Sequence, residues 1–348
     1  MLRFWYKFFY FAIFLVATPS LSCDLSNLKF EKLLDLVSSE LSATRNGNCT
    51  ESPCTQEIIY NLGIESTEVL LRRKTAPNKF TNILSFDLDK YREKLDQKDQ
   101  NKFCQAILGN PEFRIIVAEG ITTWRLYESL KNIDTLTGNI PEFLRNEGSL
   151  APGLYTFKIG QSRASLVEQM TTQQQIILDF AWSQRNTDLP INSKKEVLTL
   201  ASLIEKETAT EKERKLIASV FVNRLARGMP LQTDPSVIYG ITKGQYSLGR
   251  GLRRSELRKD TPWNTYTNRG LPSGAIANPG RQSIFAAVQP ATTDYLYFVA
   301  DGEGGHLFAS TLKDHNINVE QWRCLSPLEL CQYILAKGVR KHGSEALF

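Results

Sequence analysis

The chain has 348 residues, of which 42% are hydrophobic and 23% are charged, a composition typical of globular proteins and unlike disordered or fibrous ones. Its net charge of +5 is too small to indicate a nucleic-acid partner. The three histidines are dispersed and no two cysteines have Cys-x-x-Cys spacing, so we predict no metal site and no cofactor.

The first 22 residues have the form of an export signal. Arg3 and Lys7 precede an uncharged, aromatic-rich run at residues 8–16, and small residues follow before Cys23. The uncharged stretch is shorter than the roughly 20 residues of a full membrane span. Three fates stay open: a retained single-pass anchor, a cleaved signal, or a lipoprotein attached at Cys23. Each of them predicts that the rest of the chain lies outside the cytoplasm.

Up to about residue 190 the pattern predicts a divergent N-terminal region and then a small α/β module. A helix is predicted at residues 89–108 and a buried strand at residues 113–117. Gly120 starts a turn into a helix that carries Trp124, and another helix covers residues 165–184. Nothing in this part of the sequence indicates chemistry.

Residues 196–208 predict an amphipathic helix with a carboxylate on its apolar face. At about 100° per residue, Glu207 falls between Leu200 and Leu203, while Lys206 points the opposite way. A carboxyl group on such a face has a raised pKa and can serve as a general acid. Glu207 is therefore the candidate catalytic residue. The alternative is a helix that frays before Glu207 and leaves it an ordinary surface charge.

The next helix is predicted to start with a capping box of Thr210 and Glu213 and to end at Gly228. Asp234 precedes Pro235, which first indicates an N-cap followed by proline at the first helical position. Gln232 and Thr233 have no comparable structural role, so they are candidates to hydrogen-bond a ligand.

Residues 262–266 interleave aromatic side chains with amides and hydroxyls, which suits a sugar held by stacking and hydrogen bonds. Asn264, Thr265 and Tyr266 are the candidate contacts, although a core loop with two anchoring aromatics has the same composition. Residues 294–300 and 306–308 predict a hairpin, and a helical tail follows. The second tier of candidates, for which structural roles weigh more, consists of Asp234, Tyr239 and His306.

Seven segments then occur in the order found in a known family. They are Leu-Ala-Ser-Leu-Ile-Glu-Lys-Glu-Thr at residues 200–208, Val-Phe-Val-Asn-Arg-Leu at 220–225, Leu-Gln-Thr-Asp-Pro at 231–235, Asn-Thr-Tyr at 264–266, Gly-Leu-Pro at 270–272, Asn-Pro-Gly at 278–280 and Tyr-Phe-Val-Ala at 297–300. From about residue 197 to 318 the chain resembles the endolytic murein transglycosylase family, also called MltG or YceG-like. Ser273 departs from the family, which usually has a second proline there.

The resemblance implies an α+β protein anchored once in the inner membrane, with its bulk in the periplasm and a LysM-like subdomain before the catalytic domain. The predicted organisation is a signal or anchor at residues 1–22, a divergent periplasmic region at 23–110, a small α/β part with linking helices at 111–190, the catalytic domain at 191–322 and a tail at 323–348. The implied partners are glycan strands and peptidoglycan synthases of the penicillin-binding class.

The implied reaction is lytic cleavage between N-acetylmuramic acid and N-acetylglucosamine within nascent strands, which leaves a 1,6-anhydromuramyl end and terminates polymerisation. The family's catalytic glutamate matches the second Glu of Glu205-Lys206-Glu207, in agreement with the helical-face argument. Two rivals stay open: a hydrolytic muramidase with Asp234 or Glu256 as a second carboxylate, and a non-catalytic glycan-binding scaffold.

Overall fold

The structure is a computed structural model, and it describes residues 56–63, 67–76, 79–87, 112–141 and 146–325. The predicted N-terminal segment, Cys23, the predicted helix at residues 89–108 and the end of the tail lie outside the described residues. Within the described ranges, no helix is both long and apolar enough to cross a membrane. The fold is α+β, as expected.

The chain divides into two compact units, and a five-stranded sheet dominates the first. Its spatial order is β3-β2-β1-β4-β5. In the antiparallel pair of β2 and β3, Leu71 lies opposite Leu84, while the Phe113 and Phe157 rings pack 5.4 Å apart. The strands are β1 (Gln56–Leu62), β2 (Thr67–Ala76), β3 (Lys79–Asp87), β4 (Glu112–Val117) and β5 (Gly153–Phe157).

The strand expected at residues 113–117 is confirmed as β4. Strands β1 to β3 were not predicted from the sequence. The charged run Arg72-Arg73-Lys74 within β2 interrupts the apolar alternation by which a strand is usually recognised.

The second unit is mainly helical, with one antiparallel hairpin. The helices predicted at residues 165–184 and 196–208, the helix ending near Gly228 and the hairpin are confirmed, and the predicted helical tail is confirmed as far as residue 325. The elements are α1 (Thr123–Lys131), α2 (Arg163–Ser183), α3 (Lys194–Glu207), α4 (Glu211–Ala226), α5 (Asp234–Thr242), α6 (Arg254–Arg258), α7 (Arg281–Val288), β6 (Tyr297–Ala300), β7 (His306–Ala309) and α8 (Leu312–Leu325).

Helix α3 lies at the centre of this unit. Ser193 caps it by accepting a hydrogen bond from the Glu196 N–H at 3.2 Å, and it ends where Thr208 turns extended. It packs against α2, α4 and α7, and Leu200, Leu203 and Ile204 are completely buried. Each such side chain contributes about 2 kcal/mol through burial, so the end of α3 is firmly placed.

The predicted capping box at the start of α4 is wrong. Thr210 occupies the N-cap position, but its hydroxyl makes no capping bond. The Glu213 carboxylate instead accepts a hydrogen bond from the His306 N–H at 2.8 Å and lies 2.8 Å from Nδ1 of the same residue. Glu213 therefore joins α4 to the hairpin.

Asn278 ties three separate segments of this unit together. Its buried side chain accepts a hydrogen bond from the Leu150 N–H at 3.0 Å. Its amide nitrogen donates to the Ile121 carbonyl at 3.0 Å and to the Thr123 hydroxyl at 3.2 Å. The start of α1 is thereby fixed to the loop before α7.

Candidate active site

Glu207 is the last residue of α3 and lies at one wall of a cleft of about 540 Å³. The hydroxyl of Thr233 donates a hydrogen bond to its carboxylate. Burial raises the pKa of Glu207, and the negative charge of Asp234 adds to that rise. The Thr233 hydrogen bond and the charges of His306 and Arg224 act in the opposite direction. The carboxyl group is thus biased towards its protonated form.

Thr233, not Asp234, is the N-cap residue of α5. The predicted N-cap at Asp234 is wrong by one position, since Asp234 is the first helical residue and Pro235 the second. The Thr233 hydroxyl does not cap its own helix because it is turned towards Glu207. Its backbone N–H donates to the Thr265 hydroxyl at 3.0 Å.

Gln232 has a backbone φ of 53°, a left-handed conformation that is unfavourable for a residue with a side chain. The buried Arg224 guanidinium holds this segment by donating to the Leu231 carbonyl at 2.8 Å and to the Gln232 amide oxygen at 3.4 Å. It also donates to the Leu296 carbonyl at 2.7 Å. Arg224 therefore fixes the segment that delivers Thr233 to Glu207.

Tyr266 donates a hydrogen bond from its hydroxyl to the Asp234 carboxylate at 2.6 Å. Burial raises the pKa of Tyr266, and its hydrogen bond to Asp234 raises it further. The phenol consequently stays protonated at neutral pH. Both side chains line the cleft together with Glu207 and Gln232.

Another part of the cleft lining comes from β6 and α8, which sequence reasoning did not connect with the site. Tyr297 stacks on His315 with ring centroids 5.1 Å apart. Trp322 lies two helical turns further along α8, where 43% of the residue is exposed. The spacing of seven residues between His315 and Trp322 was the available signal, because it places both on one face of a helix.

Asn264 and Thr265 do not face the cleft, contrary to the prediction that they contact a ligand. Each is 1% exposed. The Asn264 amide donates to the Lys259 carbonyl at 2.7 Å and accepts from the Tyr266 N–H at 2.8 Å. The Thr265 hydroxyl lies 2.8 Å from that of Ser236. These residues shape the loop that carries Tyr266.

Tyr239 and His306 also lie away from the cleft lining. The Tyr239 hydroxyl donates to the partly buried Glu147 carboxyl at 3.1 Å, and desolvation raises the pKa of Glu147. His306 is paired with Glu213 and packs edge-on against Phe298. The side chains of Tyr239 and His306 thus make contacts within the fold.

Glu256 does not line the cleft. It forms two hydrogen bonds with the Arg250 guanidinium, at 2.6 and 2.9 Å. This pairing lowers the pKa of Glu256 to about 2. Asp234 is therefore the rival second carboxylate that the structure brings near Glu207.

The site thus combines one buried carboxyl group, hydrogen-bonding side chains and aromatic rings along an open cleft. Such an arrangement can deliver a proton to a ligand that stacks and hydrogen-bonds like a sugar. Among the described residues, no group of three His, Cys, Asp or Glu side chains could hold a metal ion.

The chain belongs to the YceG-like family, whose family model matches residues 76–321. It is 40% identical over 195 residues to the endolytic murein transglycosylase of Bacillus subtilis (strain 168), covering 54% of this chain and 52% of that relative. It is 30% identical over 290 residues to the endolytic murein transglycosylase of Streptococcus pneumoniae (strain R6), covering 79% of this chain and 49% of the relative.

The crystal structure of a YceG-like protein from Listeria monocytogenes matches with a TM-score of 0.50 at 29% identity, covering 63% of this chain and 80% of that chain. The chain spans about half the length of the curated relatives it matches. Glu207 and the residues around it fall within the part that the family model matches.

Proposed function

We propose that this chain is an endolytic lytic transglycosylase that cleaves peptidoglycan between N-acetylmuramic acid and N-acetylglucosamine. The observation that carries the proposal is the partly buried carboxyl group of Glu207, with its raised pKa, at the wall of an open, aromatic-lined cleft. The relatives named endolytic murein transglycosylase support the same reaction.

The mechanism needs one carboxyl group because the substrate supplies the nucleophile. Protonated Glu207 donates its proton to the glycosidic oxygen as the bond from that oxygen to the muramyl C1 breaks. The resulting carboxylate then accepts the proton of the C6 hydroxyl, whose oxygen forms the new bond to C1. The N-acetyl group of the muramyl sugar stabilises the cationic intermediate. No water is consumed, and Glu207 ends in its starting protonated state.

The remaining cleft residues hold and orient the sugars in this proposal. Gln232 and Tyr266 supply hydrogen bonds, while Tyr297 and Trp322 supply aromatic faces. Thr233 positions the carboxyl group of Glu207 through its hydroxyl. Buried Asn264 and Thr265 act by shaping the loops rather than by contact.

A hydrolytic muramidase is the second candidate, favoured by the presence of Asp234 in the same cleft. In that reaction Asp234 would act as the second carboxylate. The hydrogen bond from Tyr266 gives Asp234 another function, so we favour the lytic reaction. The products differ, because hydrolysis leaves a reducing end that is one water heavier than the anhydro end.

We further propose that residues 1–22 retain the chain in the inner membrane, that a LysM-like subdomain precedes the catalytic part, and that the catalytic part lies in the periplasm. Termination of nascent strands beside peptidoglycan synthases follows from that location. The support is the signal-like N-terminal sequence and the family membership. Membrane fractionation with protease access from the periplasmic side tests the placement.

The reaction is tested by digesting purified peptidoglycan with the full chain and analysing the products by mass spectrometry. We expect anhydromuramyl ends from the wild type and from Glu211→Gln, an exposed control, and none from Glu207→Gln. Reducing ends would support the muramidase. Undiminished activity of Glu207→Gln would overturn the role of Glu207, and a lack of product from every protein would favour the binding scaffold.

A further inference from the structure

A second depression of about 620 Å³ opens beside the cleft, and we call it the lateral pocket. Lys206 lines the lateral pocket whereas Glu207 lines the cleft. In the same way Pro235 lines the pocket and Asp234 the cleft. Consecutive residues are about 3.8 Å apart along the backbone, so the two hollows approach each other at the end of α3 and at the start of α5.

The lateral pocket combines cationic and aromatic side chains. Trp124 and Tyr246 are 39% and 58% exposed, and Arg125 and Lys206 add positive charge. Arg250 also lines the pocket, but its charge is offset by the Glu256 carboxylate. Among the described residues, no aspartate or glutamate lines it. Such a surface favours an anionic ligand that also has small apolar groups.

Internal hydrogen bonds hold the walls of the lateral pocket in place. The Thr122 hydroxyl donates to the Gly244 carbonyl at 2.7 Å, which fastens the segment after α5 to the start of α1. Gly244 has a φ of +70°, and a Cβ there would lie 2.6 Å from the Thr122 side chain, so this contact requires glycine. The Tyr239 ring is fixed by its bond to Glu147.

We infer that the lateral pocket binds the stem peptide of the muramyl residue at the cleavage site, an inference that rests on the proposed function. The stem is attached to the sugar that the cleft holds, so it must leave the cleft close to the scissile bond. Stem peptides carry free carboxylates and small methyl side chains. Arg125 and Lys206 match the carboxylates, while Trp124 and Tyr246 offer faces to the methyl groups.

The test compares two substrates, glycan strands with stem peptides and the same strands after an amidase has removed them. We expect the wild-type full chain to have a lower KM for the peptide-bearing strands. Lys206→Ala combined with Trp124→Ala should raise KM for these strands about tenfold and leave KM for the stripped strands unchanged. Lys195→Ala, an exposed site elsewhere on α3, should behave like the wild type.

Direct binding provides a second readout. We expect calorimetry of the full chain carrying Glu207→Gln to detect a free stem tetrapeptide, and the added pocket substitutions to weaken that binding. Equal KM values of the wild type for the two substrates would overturn the inference. An equal rise in KM for both substrates in the pocket variant would also overturn it and would indicate that the pocket binds sugar. Failure of the wild type to cleave either substrate would instead contradict the proposed function.

Discussion

Burial raises the pKa of Glu207, and one hydroxyl and one carboxylate near it adjust that pKa further, which gives the proposed reaction a defined pH dependence. The acid form is the active one, so activity should fall as pH rises through the raised pKa of Glu207. Thr233→Val removes the hydrogen bond that lowers this pKa. We therefore expect the alkaline limb of kcat/KM to move to higher pH, as measured from initial rates between about pH 5 and 9.

Asp234→Asn is the paired test, and we expect it to shift the pKa of Glu207 in the opposite direction. The charge of Asp234 raises the pKa of Glu207, so its removal should move the same limb to lower pH. Shifts in the same direction for both variants, or no shift in either, would contradict the assignment of the limb to Glu207.

Burial of Glu207 also makes the stability of the fold depend on pH. Below the ordinary carboxyl pKa of 4.5 the folded and unfolded states are both protonated. As pH rises above it, the unfolded chain ionises while the folded carboxyl group does not, so stability falls until pH passes the raised pKa. Glu207→Gln has no carboxyl group that can ionise at this position, so it does not lose stability in this pH range.

We therefore expect Glu207→Gln to raise Tm at neutral pH, with the difference from the wild type shrinking towards pH 4. Thermal unfolding followed by circular dichroism at several pH values measures it. A variant that is less stable than the wild type at neutral pH would show that the carboxylate is accommodated in its ionised form.

Individual residues also show where sequence reasoning reaches its limit. The helical period placed Glu207 on the inner face of α3, since that argument needs only local geometry. The partners of Thr233 and Glu213 lie in other segments of the chain, while Asn264 is turned back onto the Leu257 and Lys259 carbonyls of its own loop. A polar side chain in a loop looks the same in sequence whether it faces a ligand or a buried carbonyl group.

At the scale of elements, the strained segment before α5 depends on α4. Arg224→Met should leave the Leu231 and Leu296 carbonyls without a buried donor, at a cost of about 3 kcal/mol in the free energy of unfolding. It should also lower kcat, because Thr233 follows the strained Gln232 directly.

Chemical denaturation and initial rates measure both effects. Arg227→Met is the matched control, since Arg227 is exposed at the end of the same helix, and its effect should stay within about 0.5 kcal/mol. Equal effects of the two substitutions would refute the tethering role of Arg224.

Helices α2, α3 and α4 and the hairpin were predictable, because their apolar periodicity and their glycine and proline signals are local. The role of α8 was not. Its sequence indicated a helical tail, but only packing beside β6 brings Trp322 into the lining of the cleft that also contains Glu207. The cleft is therefore assembled from elements that the sequence order separates.

At the scale of the whole second unit, Asn278 joins segments that lie far apart in the sequence. Asn278→Ala removes the side-chain hydrogen bonds to the Leu150 N–H, the Ile121 carbonyl and the Thr123 hydroxyl in one step. The Ile121 carbonyl keeps its bond from the backbone N–H of residue 278, so the buried Leu150 N–H is the group that loses its partner. We expect a loss of about 3 kcal/mol in the free energy of unfolding, visible as a lower Tm.

The exposed Asn192→Ala provides the comparison, with a change within about 0.5 kcal/mol. If Asn278→Ala were equally mild, the three segments would have to be held together by apolar packing instead.

The position of Glu207 at the end of the central helix determines how activity is lost on heating. A catalytic group on a mobile loop can be displaced while the rest of a protein is still folded. Here Glu207 lies within one helical turn of Leu203 and Ile204, which are completely buried, so we expect its position to depend on the packing of the core. Catalysis and tertiary structure should therefore disappear in one cooperative transition, and the half-life of the enzyme at high temperature should follow the rate of global unfolding.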